Sequence, residues 1–223
     1  MIPKHIGIIL DGNRRFAKRL MLEPWKGHEL GAEKVEKLFD WCKELEVKEL
    51  TLYCFSLENF SRPKKEFDYL MNLFKKEFSK LDKDKKIEEN KIRIRFIGKT
   101  ELFDKEIQKI IKNIAKKTQE NSGFIINFAL AYGGRQEIIR ACRKLVENGE
   151  EINEENLKKN LWLSSEPDMI IRTGGERRTS NFLPFQSVYS EWFFLDKTWP
   201  EFEKKDLIFC IKEFEKRERR FGR

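Results

Sequence analysis

The run Ile6–Leu10 is unbroken and apolar, and it ends on Asp11-Gly12-Asn13-Arg14-Arg15. Glycine and asparagine turn a chain sharply and leave backbone N–H groups exposed. A helix start that follows adds more N–H groups at the positive end of its dipole. Arg15 contributes a planar fork that grips phosphate oxygens in two places. These residues make an anion cradle. A carboxylate inside a cradle repels the anion unless a cation bridges the two, and Mg²⁺ is the usual bridge, held by one or two carboxylates with phosphate oxygens and water. The stretch therefore suits a metal-complexed diphosphate. The plain alternative is a capping acid beside surface arginines, which fits most helices with this local pattern. Since strand-end carboxylates are mostly solvated, Asp11 is expected to serve Mg²⁺ rather than to hold the fold.

The arrangement recurs after later apolar runs. Leu50–Phe55 is followed by Ser56, Glu58, Asn59 and Arg62. Phe124–Ala131 is followed by "YGGRQE", and Met169–Ile171 by "RTGGERRTSNF". In the last, Arg172, Arg178 and Ser180 around Gly174-Gly175 would hold a second anion; a glycine-rich solvated loop is the alternative. Four such clusters weigh against incidental capping. Gly98-Lys99-Thr100 imitates the end of a P-loop, but that motif needs a glycine where this chain has Arg93, so nucleotide hydrolysis is excluded.

The elements that must position these clusters follow from periodicity. Short β-rich runs are expected at Ile6–Leu10, Leu50–Phe55, Ile92–Ile97, Phe124–Ala131 and Met169–Ile171, with a further one at Glu191–Leu195. Between them, Val35, Leu38, Phe39 and Cys42 recur at helical intervals. So do Leu70, Leu73, Phe74 and Phe78, and Ile107, Ile110, Ile111 and Ile114. A last helix is expected from Glu203 to Phe221, with Leu207, Ile211 and Phe214 on one stripe. Strands alternating with helices imply crossover units and a mostly parallel sheet. In such a sheet ligands lie beyond the carboxyl ends of the strands, where the four clusters fall. The lysine-rich stretch Lys80–Lys91 reads as a solvated helix end and loop, and the 223 residues as a single α/β domain.

Composition narrows the partners. Forty-six Lys and Arg against 38 Asp and Glu leave a net charge of +8, which favours an anionic partner. No apolar stretch approaches the roughly 20 residues of a membrane span, and no signal peptide is visible at Met1. Cys42, Cys54, Cys142 and Cys210 are scattered, as expected of four reduced, buried thiols in a cytosolic protein. His5 and His28 are the only histidines, too few for an ordinary zinc site.

Five blocks, "HIGIILDGNRRFAKR", "GHELG", "YCFSLENFSRP", "FALAYGGRQEI" and "DMIIRTGGERRTSNFLPFQSVYSEWFF…WPEF", together resemble the cis-prenyltransferases of the bacterial undecaprenyl diphosphate synthase type. They run in the family's order from His5 to about Gly222. The resemblance implies a six-stranded parallel sheet flanked by helices, an apolar substrate tunnel, and a homodimer. It implies condensation of isopentenyl diphosphate onto farnesyl diphosphate in cis. The product would be a long polyprenyl diphosphate, undecaprenyl diphosphate, the carrier-lipid precursor for cell-wall polysaccharide synthesis. A cytoplasmic enzyme, touching the membrane peripherally to release product and binding no nucleic acid, follows from the same resemblance. The trans class of prenyltransferases uses DDxxD motifs, and this sequence has no adjacent aspartates.

Carried over by position, Asp11 resembles the Mg²⁺-diphosphate carboxylate and Glu191 a second one. Gly12, Asn13, Arg14 and Arg15 resemble the allylic diphosphate cradle, with His28 and Arg62 beside it. Phe16 and Phe60 match aromatic positions at the substrate mouth. Ser56, Leu57, Glu58 and Asn59 match the segment beside the reacting carbons. Arg172, Arg178, Thr179 and Ser180 match the isopentenyl diphosphate site. "RFG", Arg220 to Gly222, resembles a C-terminal arm that reaches the partner's site. The family sometimes gives Asn59 the proton, although a neutral amide is a poor base. Two departures stand out: the arginine usual four residues before the histidine is Pro24 here, and "NFLLWQ" is "NFLPFQ", with Pro184 and Phe185. Either the allylic diphosphate is bound more weakly or another cation substitutes: Lys26 is expected to do so in part, and Arg14 is the other candidate. Intact first-motif residues argue against a non-catalytic subunit. Arginines grouped beside acids argue against a basic nucleic-acid-binding protein, whose phosphate contacts those acids would repel.

Overall fold

A computed structural model describes residues 2–217 of the chain. Its strands are β1 (His5–Ile9), β2 (Glu49–Ser56), β3 (Arg93–Ile97), β4 (Ile125–Tyr132), β5 (Met169–Arg172) and β6 (Glu191–Phe194). All pair in parallel in one sheet of order β3-β4-β2-β1-β5-β6. Every expected strand is present, within a residue or so at each end. The central strands read as continuous apolar runs because both faces of the sheet are covered; β1 is buried along its whole length.

The helices are α1 (Asn13–Arg19), α2 (Lys26–Glu44), α3 (Lys64–Asp82), α4 (Lys85–Glu89), α5 (Lys105–Thr118), α6 (Gly134–Asn148), α7 (Glu154–Asn160) and α8 (Lys204–Glu215). Helices α2, α3, α5 and α8 lay Leu38, Leu70, Ile111 and Leu207 onto Ile6, Ile8, Leu52 and Phe128 of one sheet face. On the other face Leu163, Phe182 and Leu183 cover Ile9, Tyr53, Ala129 and Ile170. Gly7 sits under that cover: a Cβ there would come within 3.1 Å of Ile170 and 3.2 Å of Phe182.

Two details depart from the sequence reading. The lysine-rich stretch contains a helical turn of its own, α4, capped by the Asp84 side chain and pinned by buried Ile87. Helix α8 ends at Glu215, with Leu207, Ile211 and Phe214 on its buried stripe as expected; Arg220 and Gly222 lie outside the described residues. Cys42 and Cys210 are buried and Cys54 and Cys142 half-buried, all as free thiols. Burial pushes Cys42, Cys54 and Cys210 up to about 12, so they remain protonated.

The carboxyl edge of the sheet is irregular where β2 meets β4. The register shifts between Tyr53 and Phe55, and again between Phe55 and Ser56. Ala131 takes a left-handed φ of 47° at the same place. Bulges at a sheet edge turn side chains out of the regular alternation. Here they hand the chain from β2 to the turn Leu57–Ser61 that carries Glu58 and Asn59.

Candidate active site

Beyond the carboxyl ends of β1, β2 and β5 opens a cavity of about 1900 Å³. Asp11, Asn13, His28, Ser56, Glu58, Asn59, Arg62, Arg172, Arg178, Thr179 and Ser180 line it. It continues between the sheet and helices α2 and α3, where Val35, Phe39, Leu70, Phe74, Phe78 and Phe128 form apolar walls, and reaches Ile87, Ile92 and Phe124. One space therefore joins a charged mouth to an apolar channel.

Gly12 makes the first turn possible. Its φ of 102° is disfavoured for L side chains, and a Cβ there would lie 2.7 Å from Thr198. The Asp11 carbonyl is fixed by Thr173 Oγ1 at 2.8 Å and by the Trp199 N–H at 2.9 Å. Asn13 Nδ2 donates to Leu10 O at 3.0 Å, while its Oδ1 is buried without a protein partner. Gly27 lets α2 pass directly over Asn13, since a Cβ there would lie 2.0 Å from the Asn13 carbonyl.

The Asp11 side chain corrects one expectation. Its Oδ2 accepts from Arg172 Nη2 at 2.9 Å, and its Oδ1 lies 3.2 Å from Arg15 Nη2. Arg172 is buried, and its Nη1 also donates to Ser180 Oγ at 2.7 Å and to the Arg178 carbonyl. Asp11 is thus the counter-charge of a buried guanidinium as well as a group facing the cavity, so it contributes to the fold. Gly174, at φ 90°, leaves Arg15 room: a Cβ there would meet Arg15 Nη2 at 2.6 Å. Arg178 is exposed and pairs with Glu176 at 2.6 Å, and Arg15 reaches the same carboxylate at 3.5 Å.

At the opposite lip, Arg62 Nη1 lies 3.3 Å from His28 Nε2 and is hydrogen-bonded to Glu66. Glu66 is buried, with Arg14 Nε and His28 Nε2 each 3.7 Å from its Oε1. Hydrogen bonding to His28, with the charges of Arg62 and Arg14, holds its carboxyl at about 2. Burial lowers the His28 pKa, so the imidazole is neutral at pH 7. Glu66 was not singled out from the sequence. Its spacing of four from Arg62 is the available signal, but Arg62 lies in extended chain just before α3, and an acid in the first turn of a helix ordinarily reads as a solvated partner of the helix dipole. Arg14 joins this cluster and Lys26 does not: Lys26 Nζ pairs with Glu29 at 3.2 Å and lies 5.7 Å from the Tyr69 ring centre.

The remaining expected residues separate. Asn59 Oδ1 accepts the Ser56 N–H at 3.0 Å, which closes a capping box and occupies the amide oxygen. Phe60 turns into the core, its ring centre 5.1 Å from that of Phe55, and Leu57 packs against the same cluster. Phe16 is half-buried with Arg19 over its ring at 5.4 Å. Glu191 is not brought to Asp11: as the first residue of β6, in register with Met169, it sits at the amino edge of the sheet and pairs with Arg217. No cluster of three metal-ligating side chains occurs among the described residues.

Within "YGGRQE", Arg135 and Gln136 line the cavity, while Tyr132 and Glu137 serve packing. Glu137, fully buried, accepts from Tyr132, from Gln186 Nε2 at 3.0 Å and from the Leu163 N–H at 2.9 Å. Burial and the Glu137 charge raise the Tyr132 pKa. A Cβ on Gly134 would lie 1.9 Å from Pro184 Cδ, so the proline of "NFLPFQ" rests directly on that glycine. Gly98, in the P-loop imitation, packs its Cα face on Leu130 O, which a Cβ would reach at 2.0 Å.

The family model described as "Putative undecaprenyl diphosphate synthase" matches residues 9–222. The chain is 45% identical over 232 residues to a tritrans,polycis-undecaprenyl-diphosphate synthase (geranylgeranyl-diphosphate specific) of Pyrococcus horikoshii, covering 100% of this chain and 88% of that one. It is 42% identical over 235 residues to an isoprenyl transferase of Thermus thermophilus, covering 100% and 89%. Its fold superposes on lavandulyl diphosphate synthase from Lavandula x intermedia, solved with dimethylallyl diphosphate, with a TM-score of 0.94 at 31% identity, covering 100% of this chain and 99% of that one.

Proposed function

We propose, from the premise that the chain belongs to the undecaprenyl diphosphate synthase family of cis-prenyltransferases, that it joins isopentenyl diphosphate to an allylic diphosphate primer in cis and so builds a polyprenyl diphosphate. The observation that carries this reading is the single cavity with two arginine groups at its mouth and apolar walls behind them. The charged mouth suits two diphosphates and the channel suits a growing hydrocarbon.

On this reading Gly12, Asn13, Arg14 and Arg15, with Arg62 and His28, take the allylic diphosphate. Arg172, Arg178, Thr179 and Ser180 take that of isopentenyl diphosphate. The allylic C–O bond breaks with its electron pair on the leaving diphosphate. The isopentenyl double bond forms the new C–C bond, and a proton leaves the adjacent carbon for the departed diphosphate. Asn59 stands beside the reacting carbons on this reading, but a neutral amide is a poor base, and its oxygen also accepts the Ser56 N–H; the departed diphosphate is the better acceptor. The protein's part is to hold both substrates, to neutralise the leaving anion and to exclude water from a cation-like centre.

Mg²⁺ fits this site. Asp11 offers one carboxylate to the cavity mouth between guanidiniums that would grip a diphosphate, and Mg²⁺ is commonly held by a single carboxylate with phosphate oxygens and water. Bound there, it would supply further charge for the leaving group. Glu191 would need a second chain to reach a diphosphate, consistent with the homodimer that the resemblance implies.

Farnesyl diphosphate is the primer suggested by the sequence blocks. Geranylgeranyl diphosphate is a second reading, favoured by the geranylgeranyl-diphosphate specificity in the name of the Pyrococcus horikoshii relative. Undecaprenyl diphosphate, as a cell-wall carrier precursor made in the cytoplasm, is the corresponding product. Labelled isopentenyl diphosphate, offered with each primer and resolved by product chain length, tests all of this. Cis-extended product from one primer supports the reading; no incorporation with either primer and Mg²⁺ refutes it.

A further inference from the structure

The turn between α1 and α2 places Leu20, Met21 and Leu22 side by side in solvent, with Met21 96% exposed. It is the longest consecutive run of exposed large apolar residues among those described. The backbone is a Schellman ending: the Leu22 N–H bonds Ala17 O at 2.9 Å and the Met21 N–H bonds Lys18 O at 3.1 Å. The left-handed position of that motif favours glycine, yet it holds Met21 at φ 56°. A long apolar side chain is thus held outward at a position where folding alone would prefer none.

We propose that this turn docks the enzyme on an anionic lipid bilayer, with Leu20, Met21 and Leu22 seated at the acyl boundary. The surroundings match that medium. Lys18 and Arg19 precede the tip, Lys26 follows it, and Lys65 lies 4.8 Å over the Trp25 ring; Arg19 pairs with Glu201 at 2.7 Å and Lys26 with Glu29 at 3.2 Å, Glu23 is a further acid beside the tip, and Lys18 and Lys65 are the flank's cations outside those pairs. Trp25 and Tyr69, 6.1 Å apart, add the amphipathic rings that settle at headgroup level. Apolar tip, aromatic shoulder and basic flank together are the pattern of interfacial anchors. The tip carries three apolar side chains, too few to supply the roughly 800 Å² per partner of a stable protein interface, so a second copy of the chain is the poorer occupant.

Position gives the docking a purpose. His28, a few residues past the tip, lines the cavity mouth, and so does Asn13 at the other end of α1. Seven helical residues span about 10 Å, so an anchored tip would hold the mouth against the bilayer. This rests on the reading of the product as a polyprenyl chain, which is scarcely soluble in water.

The test is flotation of the full chain, without substrate, with phosphatidylcholine vesicles and with mixed phosphatidylcholine–phosphatidylglycerol vesicles. Wild type should float with the mixed vesicles and less with the neutral ones. Leu20→Ser/Met21→Gly/Leu22→Ser should bind about tenfold more weakly or worse, with thermal midpoint and detergent-supported turnover unchanged. Lys18→Glu should weaken binding to the mixed vesicles alone. The proposal is overturned if wild type stays in the aqueous fraction, if the triple variant floats equally well, or if the triple substitution instead dissociates a dimer. Wild-type flotation without isopentenyl incorporation would uphold the docking and defeat only the reading of the product.

Discussion

Glu66→Gln removes a charge from a buried carboxyl without changing its shape. That carboxyl is 3% exposed and touches His28, Arg62 and Arg14. Folding lowers its pKa from 4.5 to about 2. Each pKa unit corresponds to about 1.4 kcal/mol, so the ionised group contributes about 3 kcal/mol to folding at neutral pH. The sign follows from the depressed value: the contribution is complete above pH 4.5 and is lost as pH falls toward 2. Glutamine cannot ionise, so the variant lacks this pH-dependent part. Urea unfolding of both proteins from pH 6 to pH 3 measures it. The gap between wild type and variant should be widest at pH 6 and should shrink by about 2 kcal/mol by pH 3. A gap that stays constant over that range would refute the assignment of the stabilisation to an ionised Glu66.

Three further outcomes are expected. Asp11→Ala should lower turnover about a thousandfold and stability by about 1–3 kcal/mol, because buried Arg172 loses a charged partner; wild-type stability in urea would show that Arg172 does not depend on the pair. Arg178→Ala should raise the KM for isopentenyl diphosphate about tenfold, from one charged hydrogen bond of roughly 1.5–3 kcal/mol, and leave the allylic KM nearly fixed; equal shifts in both would defeat the division of the mouth into two halves. Gly134→Ala should cost about 1–3 kcal/mol by overpacking against Pro184, and Pro184→Ala in the same chain should recover part of it; no change in the urea midpoint would contradict the contact.

The sheet was legible because strands covered on both faces must be largely apolar, as Ile6 to Ile9 and Phe128 to Ala131 are. The edge strand β6 was legible by its aromatic run, Trp192 to Phe194. Site residues at strand ends were legible because parallel topology carries those ends to one edge. Partnership was not legible. Nothing local tells Asp11 that its counter-charge lies 161 positions away. Glu66 reads as an ordinary helix-surface acid until α2 brings His28 over it. Glu191 reads from the sequence as a companion of Asp11, but strand polarity puts a first residue at the amino edge of the sheet, away from Asp11 of the same chain. Tyr132, Glu137 and Gln186 looked like one cluster of reactive types and a distant amide, and burial joined them into a satisfied structural network instead.

The Asp11–Arg172 pair bridges the two halves of the mouth, and on the proposed reading it would couple them thermodynamically. While it stands, each half of the mouth is partly neutralised by the other. On the proposed reading, a Mg²⁺-complexed diphosphate that drew Asp11 toward itself would strip Arg172 of its counter-ion and leave that guanidinium ready for a second anion. By reciprocity, an anion that captures Arg172 frees Asp11 by the same free energy. Two substrates that never touch a common residue would then bind with mutual reinforcement, and the enzyme would favour the doubly loaded state over either half-loaded one. For a reaction whose first broken bond releases a cation-like centre, an internal ion pair thereby disfavours having one substrate present without the other.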